Sequence, residues 1–76
     1  MFRVGMKVIN GHGEVGTVIC ILKSHRTYPV RVDIGGSTVP DGIGYTENGI
    51  YNTLWPNAKD NIRPLTSLEE FLHGIY

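Results

Sequence analysis

The sequence carries a single cysteine, Cys20, so no disulfide can close within the chain. Nothing therefore directs it to an oxidising compartment. It has no excess of charge of either sign: 7 basic and 7 acidic side chains cancel. A balanced chain has no global field to draw in nucleic acid or an anionic membrane, and any such contact needs a local patch. Long apolar runs are also missing. Residues 18–22 form the longest, too short for a membrane span or a secretory core. His12, His25 and His73 lie far apart, without the spacing of a metal pair. No phosphate loop, nucleophile elbow or zinc signature is present. These absences point away from an enzyme, a cofactor, a metal site or a membrane partner, and make the cytosol the default location.

What is present is β-forming. Hydrophobic residues make up 41% of the chain, too many for disorder. From residue 28 to 34 the side chains alternate, with Tyr28, Val30, Val32 and Ile34 on one face and Pro29, Arg31 and Asp33 on the other. Such alternation marks a strand with one buried and one wet face. Earlier strands are expected over 7–10 and 14–22, separated by the Gly11-His12-Gly13 turn. Gly16 suggests a bulge or bend within the second strand. Cys20, inside the apolar run, is expected as a small buried hydrophobe. Short pieces follow at 37–39, 45–46, 50–51 and 61–63. Asn48-Gly49 signals a hairpin, and Pro64 ends the last strand.

The period then changes. Thr66 and Ser67 stand three residues before Glu69 and Glu70, a capping-box pattern. Leu68, Phe71, Leu72 and Ile75 fall on one helical face, and Gly74 ends it. That face must bury against the barrel or another copy. The expectation is an all-β fold: a small, five-stranded barrel with a short C-terminal α-helix. Residues 1–76 form one domain, with the barrel over 1–65 and the helical tail over 66–76. A chain this short buries only about 60% of its unfolded surface, so its core is marginal and self-association is favoured.

Residues 4–9 and 14–21, joined by a glycine turn, resemble the opening hairpin of Src-homology-3-type barrels, including KOW and Tudor-like modules. Tyr28-Pro29-Val30-Arg31-Val32-Asp33, then Tyr45-Thr46 and Asn48-Gly49-Ile50-Tyr51, resemble a group of small phage-encoded proteins, mostly without assigned activity. The likeness covers residues 4–51. The insertion around residues 39–43 and the tail from 52 onward depart from the pattern.

Three classes of function follow. The first is a non-catalytic binder. Aromatics Tyr45, Tyr51 and Trp55 would wall a ring, with His25 beside them, and Arg26 or Arg63 would pair with a phosphate or carboxylate. Trp55 has a competing role as a cap on the barrel core, which the usual burial of tryptophan favours. Tyr28, by its place in the alternation, points inward. The phage likeness implies a protein that counters host defence by sequestering a small nucleotide-derived signal as a homo-oligomer, in a pocket between protomers. The second class is a KOW- or Tudor-like module contacting nucleic acid or its machinery through Lys23, His25, Arg26 and Arg31. The third is a protein-only inhibitor of a host enzyme, docking by edge strands or the tail helix.

Overall fold

The computed structural model describes residues 2–34, 42–72 and Gly74. The expected piece at 37–39 lies outside them. Five antiparallel strands form one sheet: β1 (Lys7–Asn10), β2 (Val15–Ile21), β3 (Val30–Ile34), β4 (Ile43–Tyr45) and β5 (Ile62–Pro64). Their order is β4-β3-β2-β1-β5. The sheet curls into a half-barrel, and a short helix, α1 (Ser67–Leu72), follows β5. Proline at the end of β5 is tolerated because β5 is an edge.

The inner face holds Val8, Val18, Val30, Val32, Ile34, Tyr45 and Ile62, with Phe2, Met6, Ile21 and Ile43 packed around them. Valine and isoleucine dominate because branched side chains suit a pleated, half-buried surface. On β3 the inward set is Val30, Val32 and Ile34, as alternation requires. Tyr28 departs from it. The strand begins only at Val30, so alternation does not reach back across buried Pro29. Tyr28 is half-buried, and its hydroxyl accepts the Thr53 N–H at 3.4 Å.

The bulge in β2 lies at Ile19, not at Gly16. Val18 faces Val32 and Cys20 faces Arg31, so Ile19 is the extra residue. Its insertion resets the phase. Val18 and Ile21, three apart, both serve the core. Cys20 is half-exposed opposite Arg31 rather than buried. Gly16 answers a different demand, close strand approach. A Cβ there would stand 2.7 Å from Ile34 Cβ and 2.6 Å from Asp33 O.

The two edges of the half-barrel approach where the turn after β4 meets β5. The Ile62 N–H donates to Gly49 O at 2.8 Å. Gly49 ends the Asn-Gly turn, whose arms join through Thr46 N–H to Ile50 O at 3.0 Å. Its φ is +84°, and a Cβ would collide with the Ile62 carbonyl. The loop onward to β5 is a run of turns. Asn52 O accepts from Trp55, Trp55 O from Ala58, and Ala58 O from Asn61.

At the tail, the capping box forms in both directions. The Glu69 N–H donates to Thr66 Oγ1 at 3.2 Å, and the Thr66 N–H to Glu69 Oε1 at 3.0 Å. Arg63 clamps the same carboxylate with both terminal nitrogens, at 2.6 and 2.7 Å. The helical apolar face stays on the surface. Leu68, Phe71 and Leu72 are exposed, and no α1 residue is buried.

Two predictions follow from these constraints. Gly13 also has positive φ, +81°, but a Cβ there meets open space. Gly13→Ala should therefore cost only the left-handed penalty, about 1–2 kcal/mol. Gly49→Ala adds a backbone collision and should cost clearly more, as urea denaturation of the pair will show. Equal losses would remove the seam from the account.

The second concerns pH. Hydrogen bonds from Arg63, then from Thr66, hold the Glu69 carboxyl at about 2 against an ordinary 4.5. Burial foremost, and then the charges of Asp60, Tyr51 and Glu14, pushes the Tyr45 phenol from 10.0 up to about 12. The Glu69 contribution is present above pH 4.5 and is lost as pH falls towards 2. The Tyr45 contribution is present below pH 10 and is lost as pH rises towards 12. Glu69→Gln should flatten the acid limb of a Tm-against-pH curve, and Tyr45→Phe the alkaline limb. Unchanged limbs would contradict these assignments.

Candidate functional site

The loop joining β2 to β3 is built by its own hydrogen bonds. The Leu22 N–H donates to Pro29 O at 2.7 Å, closing the loop across its base. Within it, the His25 N–H donates to Leu22 O at 2.9 Å, and the Tyr28 N–H donates to His25 Nδ1 at 3.0 Å. An accepting Nδ1 carries no proton, so the neutral ring bears its proton on Nε2, which is left as a donor. The imidazole is thereby fixed in both position and tautomer.

Beside this loop lies a cleft of about 360 Å³. Its apolar floor comes from Phe2, Ile21, Pro29 and Val30, and its polar rim from Lys23, His25, Arg26 and Glu47. Ile21 reaches the floor because the Ile19 bulge turns it inward, and Phe2 packs on the core from the N-terminal segment. Among the described residues, neither Lys23 nor Arg26 enters an ion pair. Two free cations and one imidazole donor thus face a single carboxylate over an apolar base. Such a cleft suits an anion carrying an apolar or aromatic part.

A second cleft, of about 420 Å³, shares the His25 wall. Tyr28, Arg31, Gly44, Tyr51 and Asn52 complete it. The His25 and Tyr28 rings stand 6.1 Å apart at 50°, and Tyr51 lies 5.9 Å from Tyr45 at 58°.

The six residues singled out from sequence divide accordingly. His25 and Arg26 meet in the first cleft, and Tyr51 stands across His25 in the second. Tyr45 lies inside the core at 2% exposure, with no free face for a ligand. Trp55 is 65% exposed and caps nothing; it stands on the loop after β4, lining neither cleft. Arg63 is held by Glu69 beside α1. Phe2, Ile21 and Glu47 complete the first cleft with no signal in the sequence that marks them as site residues, while Arg31, expected beside the basic cluster, lines the second. Lys23 was visible as part of the only basic cluster in the sequence.

Other polar groups serve structure. His12 Nε2 sits 3.2 Å from Asp60 Oδ1, with both side chains about half exposed, and joins the β1–β2 turn to the loop before β5. No group of three His, Cys, Asp or Glu side chains among the described residues is placed to hold a metal ion. No helix among them is long and apolar enough to cross a membrane. The chain matches no protein-family model, no curated protein and no solved structure.

Proposed function

We propose that this chain is a non-catalytic binding protein that sequesters a small nucleotide-derived molecule as a homo-oligomer. The observation that carries this reading is the first cleft, with Lys23 and Arg26 unpaired above an apolar floor that includes the Phe2 ring. The cations and the His25 Nε2–H hold phosphate, while Phe2 and Pro29 cover a base or sugar. A cleft on one protomer leaves its ligand partly wet, and a second copy closes it. Leu54, Trp55, Leu68, Phe71 and Leu72, all exposed, supply apolar surface for that association.

The strand order, with β5 beside β1, supports the Src-homology-3-type reading. The wider role, a phage protein acting against host defence in the bacterial cytosol, rests on the resemblance of residues 4–51 alone.

Native mass spectrometry of the protein as purified from cells tests this reading. The expected result is a defined oligomer carrying added mass in the nucleotide range, lost in the Lys23→Ala/Arg26→Ala double variant. Both residues lie on an exposed loop, so the fold should survive the change. A bare monomer, or an adduct that persists in the variant, would contradict it. Nucleic-acid fragments in place of a small adduct would move the assignment to the KOW-like class, whose binding weakens steeply with salt.

A further inference from the structure

Arg31 occupies an outward position on β3, opposite Gly44 of β4. Because Gly44 has no side chain, the guanidinium lies against its backbone. A Cβ at Gly44 would stand 3.4 Å from Arg31 Cζ and Nη1. In this position Nε is closed to solvent and has no acceptor. Nε is therefore out of reach of the cleft, and the guanidinium can donate to a ligand there only through its terminal nitrogens. Tyr51 faces the same cleft. Its backbone N–H is fixed by Asn61 Oδ1 at 2.9 Å, and its ring leans on the core ring of Tyr45. Tyr51 is still 44% exposed, which leaves it free to stack. The second cleft therefore pairs an aromatic wall with a guanidinium that makes no hydrogen bond or ion pair among the described residues, the two elements that hold a planar base.

The two clefts meet at His25. Ligand clefts usually run from about 300 to 1,000 Å³, and each of these lies near the low end. Each has room for one base-and-sugar unit.

We propose that the clefts act as one two-part site for a dinucleotide. One base rests on the Phe2 and Pro29 floor. The second lies against Tyr51, with its ring nitrogen or carbonyl accepting from Arg31. The linking phosphate crosses the His25 ridge, where Nε2–H donates and Lys23 and Arg26 supply charge. This inference rests on the nucleotide-binding reading above and specifies the ligand class for it.

Calorimetric titration with AMP and with the linear diadenylate pApA tests it on the intact chain. The expected result is that pApA binds about tenfold or more tighter than AMP, from one added stacked base. Tyr51→Ala and Arg31→Gln should each bring pApA down to the AMP level without altering AMP. Tyr51→Phe, which keeps the ring, should preserve the advantage and serves as the folding control. AMP binding with no gain for pApA, or a gain that survives both substitutions, would overturn the two-part site and leave the nucleotide reading standing. Binding of neither probe would overturn both.

Discussion

The fold depends on β2 keeping one face in the core along its whole length while pairing on both sides. A flat strand cannot do this here, because Val18 and Ile21 have opposite parity. The extra residue at Ile19 resolves the conflict. Before it, Gly16 and Val18 face inward; after it, Ile21 does. The bulge also increases local twist, which helps a small sheet curl. Its functional consequence is positional. It delivers Ile21 to the floor of the first cleft and aims the β2–β3 loop, with Lys23, His25 and Arg26, over that floor.

A second constraint acts at the open seam. A half-barrel whose core cluster holds seven buried side chains among the described residues has little energy to spare. The Ile62 N–H to Gly49 O bond helps join its two edges, and Gly49 takes positive φ where a Cβ would collide with the Ile62 carbonyl. Tyr45, just before that turn, fills the core and backs the exposed ring of Tyr51. Packing and the second cleft are therefore linked through two neighbouring tyrosines.

Local rules were read directly from the chain. Branched alternation over 30–34, the Asn-Gly turn and the Thr66–Glu69 capping box each depend on neighbours a few residues apart, and each is formed. Errors arose where long-range packing overrides a local pattern. The parity of Tyr28 belongs to a strand that starts later, and the bulge belongs to register rather than to glycine. Tyr45 and Tyr51 look alike in sequence, yet one is core and the other surface. Trp55 follows the same lesson, since its exposure is set by turns that Asn52 and Asn61 anchor. The basic loop was legible because its charges are consecutive or nearly so. Phe2 and Glu47 were not, because only the curled sheet brings them beside residue 26.

Chemical-shift mapping with AMP tests the central claim, that the β2–β3 loop and its apolar floor are the ligand site, most directly. The expected result is saturable shifts at Phe2, Ile21, Lys23, His25 and Arg26, with the surroundings of Arg63 and Trp55 unchanged. Shifts centred on Arg63 or Trp55, or no saturable shift at any residue, would contradict it.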